Sequence, residues 1–295
     1  MTSRQSALAS RLRVLGFLLP SLIPLLIFWI YPILNSIWLS FTNWNFISPT
    51  YDFVFFENYL SILADSRFYD ALWNTIVFTL GTLIPTLIGG LGLALLLHKE
   101  VMGKNFFKFT LFSPWITPTV AISIVWVWIF EPKDGLANLV LNALRLPTLE
   151  WIRSSDTAML AVILVTVWKS LGYAMILYLS ALEKVPKELY EANALDGANQ
   201  WQRFRDVTLP LISPTIFFLI IITTINSLQA YDQIQVLTQG GPSGSTRTLL
   251  YMYYQLGFEE YKSGPAIVII IVVILISGLL SYFQFKSSKR WLHYS

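Results

Sequence analysis

The sequence predicts an all-α polytopic membrane protein with six spanning helices. Three observations predict it. Of its 295 residues 55% are hydrophobic and 13% charged, whereas a soluble domain carries about 25% charged residues. Uncharged runs long enough to cross about 30 Å of hydrocarbon recur along the chain. Their pattern is not the roughly ten-residue in–out alternation of a membrane barrel. The same runs exclude one large soluble core.

The first charge-free run, Val14–Tyr51, follows Arg4, Arg11 and Arg13. It begins like a secretory signal. It then extends well beyond an h-region of about 7–15 residues and ends without a small-x-small cleavage site. It reads as a retained first helix, Leu12–Phe41, with Pro20, Pro24 and Pro32 as candidate kinks. Such prolines are tolerated in a membrane when neighbours satisfy the freed carbonyls. Four more uncharged runs follow: Ala71–His98, Phe109–Phe130, Val207–Tyr231 and Ser263–Phe285. Thr157–Leu182 is a fifth, interrupted only by Lys169.

Basic residues set the orientation. With the N-terminus in the cytoplasm, thirteen of the twenty fall inside: Arg4, Arg11, Arg13, Lys99, Lys104, Lys108, Lys184, Lys187, Arg203, Arg205, Lys286, Lys289 and Arg290. Six fall outside: Arg67, Lys133, Arg145, Arg153, Arg247 and Lys262. Both termini are then cytoplasmic. The expected organisation is a tail at 1–11, a first helix with its outer loop at 12–70, a transmembrane core at 71–285 and a tail at 286–295. Within the core, 186–210 is a polar cytoplasmic insert. Of the outer loops, Glu131–Asp156 has room for a short surface helix. Thr238–Lys262 opens on the turn signature Gly240-Gly241-Pro242.

No catalytic constellation emerges. Cysteine is absent, which excludes disulfides, thiolate metal sites and a cysteine nucleophile. No run fits the phosphate-cradling G-x-x-x-x-G-K-[ST]; Gly103-Lys104 lacks the upstream glycine and the following hydroxyl. Gly89-Gly90-Leu91-Gly92 lies within a span, where small residues serve close helix packing. The two histidines, His98 and His293, sit at ends of apolar runs. There is no H-E-x-x-H and no metal-spaced cluster, so no enzyme, metal site or cofactor is expected in this chain.

Two charges lie in the membrane zone. A lysine at the centre of a span costs about 2.5–3.5 kcal/mol on insertion scales, so Lys169 requires a polar cavity or a partner. Asp232 falls at the outer end of the fifth run. One reading makes Asp232 interfacial and Lys169 merely ion-paired. The other has both line a water-accessible path, with Ser170 and Tyr173 on the fourth span and Thr223, Asn226, Ser227 and Gln229 on the fifth. Residues three or four apart, such as Lys169 and Tyr173 or Asn226 and Gln229, share a helix face. Amides, hydroxyls and rings suit a polyhydroxylated solute.

The insert Pro186–Pro210 is the most polar stretch of the chain. Pro186 suits a helix start, Lys187–Leu195 follows, and Glu188 and Glu191 stand where the helix dipole favours acids. Gly197 permits a sharp bend, and a second short helix, Gln200–Asp206, leads back to the membrane. Leu189, Tyr190, Ala192 and Leu195 give the first helix an apolar side. Physically, it is either a docking knob or an amphipathic helix lying on lipid.

EANALDGANQWQRFRDVTLP resembles the EAA loop of the permeases of binding-protein-dependent ABC importers, E-A-A-x-x-D-G-A-x-x-x-x-x-F-x-x-I-x-L-P. The matches are Glu191, Ala192, Asp196, Gly197, Ala198, Phe204, Leu209 and Pro210; Asn193 and Val207 depart mildly. Leu237–Pro242 and Thr248-Leu249 are similar to the sugar branch, with its maltose and glycerol-3-phosphate permeases. The resemblance implies the type I importer permease fold in a bacterial or archaeal plasma membrane. It implies a non-catalytic subunit that pairs with a second homologous permease. A dimer of cytoplasmic ATPases would bind ATP and Mg, and an extracytoplasmic solute-binding protein would deliver the solute. Beyond these partners only membrane lipid is expected, and no nucleic acid. Glu191, Ala192, Asp196, Gly197 and Ala198 would couple to the ATPase. Positions matching Lys169, Ser170, Tyr173, Thr223, Asn226 and Ser227 would contact the solute, a carbohydrate or a sugar or polyol phosphate, whose anionic group Lys169 would suit. The alternative is a self-sufficient secondary transporter using Lys169 and Asp232 as an ion relay.

Overall fold

The computed structural model describes residues 16–45, 47–99 and 102–288. The tail 1–11 with Arg4 and Arg11, the start of the first helix including Arg13, and residues 289–295 with Lys289, Arg290 and His293 lie outside the described residues. Among the described residues the regular elements are helical, apart from an isolated antiparallel bridge between Thr42 and Phe53. Among the described residues four helices are long and apolar enough to cross a membrane, and the number rises to six if each of two bent pairs is one span.

Helix α1, Gly16–Leu39, is continuous through its prolines. It widens into a π segment at Leu26–Ile30, where the N–H of Tyr31 donates to the carbonyl of Leu26. Pro32 brings no N–H, and its ring crowds the preceding turn. The π turn stands immediately before Pro32 and gives the ladder room for both effects. Helix α2 is Glu57–Ala64. Helix α3, Ser66–His98, starts five residues before the expected Ala71, because Asp65 caps it by accepting from the N–H of Arg67.

The third predicted span, Phe109–Phe130, is not one helix. It divides into α4, Lys104–Ile116, and α5, Thr119–Ile129, bent by 102° at Thr117-Pro118. Proline forbids the helical hydrogen bond and pushes the preceding residue to extended backbone; Thr117 has ψ 138°. The short helix expected in the following loop is α6, Leu136–Ala143. Helix α7, Ser155–Leu182, is unbroken, and α8 spans Lys187–Leu195.

The fifth predicted span, Val207–Tyr231, is also corrected. It comprises the end of α9, Gln200–Leu211, and α10, Ser213–Leu228, bent by 65°. Pro210 and Pro214 flank that break and remove two donors from the helical ladder. Helix α9 includes a π segment at Phe204–Thr208. Helix α11 is Asp232–Leu237, α12 is Leu249–Tyr254 and α13 is Ser263–Ser288.

The described residues fall into two compact units, one within Met1–Ala64 and Tyr253–Ile271, the other within Asp65–Met252 and Val272–Ser295. In the first, α1 buries none of its apolar window. The amide of Asn58 donates to the carbonyls of Ser40 and Thr42, each at 2.8 Å, and fastens α2 to the chain leaving α1. In the second, α3 packs along α7. Gly90 sits so close to Ala174 that a Cβ there would be 2.6 Å from the alanine methyl, as small-residue packing in a membrane requires. Ala94, Met175, Tyr178, Leu179, Leu182, Val207, Ile212 and Leu219 continue that core.

Candidate functional site

Helices α7 and α10 carry their polar side chains to a common cavity of about 390 Å³. Its wall includes Lys169, Ser170, Tyr173, Thr223, Asn226, Ser227, Gln229 and Asp232. The structure thus brings together all eight residues singled out from the sequence, although their individual settings differ. Ser227 is buried, and its hydroxyl is 2.7 Å from that of Thr82. Helix α10 ends at Leu228, so Asp232 does not close the fifth span. It is an exposed carboxylate in the first turn of α11, where the helix dipole favours an acid.

Among the described residues Lys169 has no acidic partner. Its ammonium donates to the carbonyls of Pro114 at 3.1 Å, Trp115 at 3.1 Å and Thr117 at 2.8 Å. The ion-paired reading is therefore replaced by one in which a lysine of α7 caps the end of α4.

Several contributors escaped the sequence reading, Trp115, Thr82 and Thr86 among them. Trp115 stacks on Tyr173, with ring centroids 4.3 Å apart and planes 16° from parallel. Thr82 and Thr86 line the cavity from α3. Thr75, Thr79, Thr82 and Thr86 recur at 4, 3 and 4 residues, and all are buried. That helical stripe of hydroxyls inside an apolar span was the available signal. The cavity therefore offers hydroxyls, amides, an aromatic face and one exposed carboxylate. Its volume falls within the range of small-molecule sites, about 300–1,000 Å³.

The second candidate site is the polar insert. Helix α8 occupies Lys187–Leu195, as expected, and none of its residues is buried. It ends in a Schellman closure: Ala198 N–H donates to Asn193 O at 3.1 Å and Gly197 N–H to Ala194 O at 3.1 Å. Gly197 has φ +79°, the left-handed conformation that such a closure needs. Asn199 then opens α9 with a capping box. Its side chain accepts from Gln202 N–H at 3.0 Å, and its own N–H donates to Gln202 Oε1 at 2.7 Å. The Tyr190 and Thr208 hydroxyls, 2.9 Å apart, tie α8 to α9. Glu191 and Asp196 project outward, beside exposed Leu195 and Trp201, which are 89% and 66% accessible.

Residues 86–293 match the family described as binding-protein-dependent transport system inner membrane component. The chain is similar to the trehalose/maltose transport system permease protein MalF of Thermococcus litoralis. The two are 32% identical over 97% of this chain and 98% of that protein. It is 33% identical to the multiple sugar-binding transport system permease protein MsmF of Streptococcus mutans, over 93% of this chain and 94% of that protein. Among solved structures, a bacterial alginate ABC transporter, in complex with an alginate pentasaccharide-bound periplasmic protein, superposes with a TM-score of 0.82. That match has 22% identity and covers 97% of this chain and 96% of that one. The likeness is one of fold, and the fold is that of ABC importer permeases.

Proposed function

The chain belongs to the binding-protein-dependent transport system inner membrane components, and from that membership we propose that it forms half of an ATP-driven import pathway for a carbohydrate. It is a multi-pass membrane component of such a system. The cavity between α7 and α10 is the observation that carries the reading. A polar pocket in the apolar zone costs free energy to maintain, and its hydroxyls, amides and stacked rings are the groups that bind sugars. The names of the relatives support the carbohydrate class. In this reading Ser170, Tyr173, Thr223, Asn226, Gln229 and Asp232 face the solute, while Ser227 fixes α10 to α3.

The insert couples the pathway to a cytoplasmic ATPase dimer, which binds the ATP and Mg. Glu191, Ala192, Asp196, Gly197 and Ala198 form the coupling element. Exposed Leu195 and Trp201 beside the acids give a docking surface both apolar contact and charge. A second homologous permease completes the pathway, and an extracytoplasmic binding protein delivers solute. Both termini and the insert then lie in the cytoplasm of a bacterium or archaeon.

The test reconstitutes the complete transporter in liposomes with Glu191→Lys. Reversing that charge should lower solute-stimulated ATP hydrolysis by at least about tenfold and weaken recovery of the ATPase with the permease. Unchanged stimulation and assembly would refute the coupling role. ATP-independent uptake by the chain alone, in ion-loaded vesicles, would establish the ion-relay alternative instead.

A further inference from the structure

Helix α4 ends at Ile116 and the chain turns by 102° into α5. The last carbonyls of a helix lack intrahelical partners, and here the deficit is aggravated. The carbonyl of Pro114 would take the N–H of residue 118, which is a proline without one. The carbonyl of Trp115 would take that of Thr119, which already belongs to the next helix. Water is scarce at membrane depth, and each unsatisfied backbone group costs several kcal/mol there. An ammonium has three donors, and Lys169 places them on three carbonyls of this corner. The negative end of the α4 dipole adds to the attraction.

Two further contacts fix the same corner. Gly172, less than one turn along α7, lies against the backbone of α4: an added Cβ would fall on the Leu111 carbonyl oxygen and 2.8 Å from Phe112 Cα. Trp115 stacks on Tyr173, and the Lys169 nitrogen lies 5.8 Å from the tryptophan ring centre. Residues 169, 172 and 173 of one α7 turn therefore receive the end of α4.

We propose that Lys169 is a positioning residue: it pins the α4–α5 corner and so sets the Trp115 ring in the cavity wall, instead of binding the solute's charge. The inference rests on the cavity being the solute path, but the state of the corner can be measured separately. The chain contains no cysteine, so Thr119→Cys, on the cavity wall, reports the corner cleanly in a complex whose partner chains are cysteine-free.

In that background Lys169→Met should raise the rate at which a thiol reagent labels position 119 at least about tenfold, as loss of charge-assisted hydrogen bonds frees the corner. Lys169→Arg, which keeps a cation and its donors, should return labelling most of the way. For uptake with the binding protein present, Lys169→Met should lower the maximal rate about 10- to 100-fold with little change in KM. A raised KM with unaltered labelling at position 119 in Lys169→Met would overturn the proposal and make Lys169 a solute ligand. If Lys169→Met fails to assemble, Lys169→Gln, which keeps two N–H donors but no charge and a shorter reach, carries the same comparison, with labelling expected above that of the parent. Absence of ATP-driven uptake by the parent complex would defeat the transport reading, while the labelling result would still decide the role of the corner.

Discussion

Gly197 and Gly172 show how differently a missing Cβ can matter. At Gly197 a Cβ would meet nothing within 4 Å, so the requirement is conformational: φ is +79°. Left-handed backbone costs an ordinary residue about 1–2 kcal/mol, with asparagine penalised least. Coupled ATP hydrolysis should therefore fall in the order Gly197, Asn, Ala, Val at this position, measured on assembled transporter. A flat series would show that the bend does not matter for coupling. At Gly172 the requirement is space, because the α4 backbone occupies the place of a Cβ. Gly172→Ala should destabilise the fold by about 1–3 kcal/mol, seen as a lower unfolding temperature of the purified protein in detergent. Gly197 was legible in the sequence because a glycine after an apolar-faced helix obeys local turn grammar. Gly172 was not, because its neighbour lies some sixty residues away on another helix.

At the level of the element, helices announced by charge and polarity were placed within a few residues, as with α7, α8 and α13. The breaks at Thr117 and Ile212 lie inside uninterrupted apolar runs, where hydropathy carries no mark of them. The prolines did carry one: Pro118 predicts an extended predecessor, and the Pro210–Pro214 pair removes neighbouring donors. Helix starts also depend on single caps. Burial pushes the Asp65 carboxyl up, but the hydrogen bonds from Arg67 together with the positive charges of Arg67 and Arg247 hold the group below the usual carboxylate range. Asp65→Ala should cost α3 about 1 kcal/mol, visible as faster amide exchange at Ser66–Phe68. The folded carboxyl titrates lower than the unfolded one. The cap's contribution is thus present above about pH 4 and lost as pH falls through the depressed value.

For the whole molecule, the eight residues picked for polarity share one cavity because α7 and α10 bring six of them to facing sides and the turn from α10 into α11 adds Gln229 and Asp232. The sequence could indicate which helix faces were polar, but not that the main-chain corner before α5 takes the lysine. The cavity yields a direct prediction. Asn226→Trp should fill much of it, reducing uptake by at least about tenfold while leaving basal ATP hydrolysis of the complex within about twofold. Full uptake would move the solute path elsewhere.

The closure of α8 and the cap of α9 have a thermodynamic corollary. The main-chain donors of Asp196, Gly197, Ala198, Asn199 and Gln202 all find their acceptors between Ala192 and Gln202. The shape of the segment is set by its own atoms, and the loss of conformational entropy is incurred when the chain folds. Association through this surface then immobilises few backbone torsions. It should proceed as rigid-body docking, with a heat-capacity change proportional to the apolar area covered and no added contribution from coupled folding.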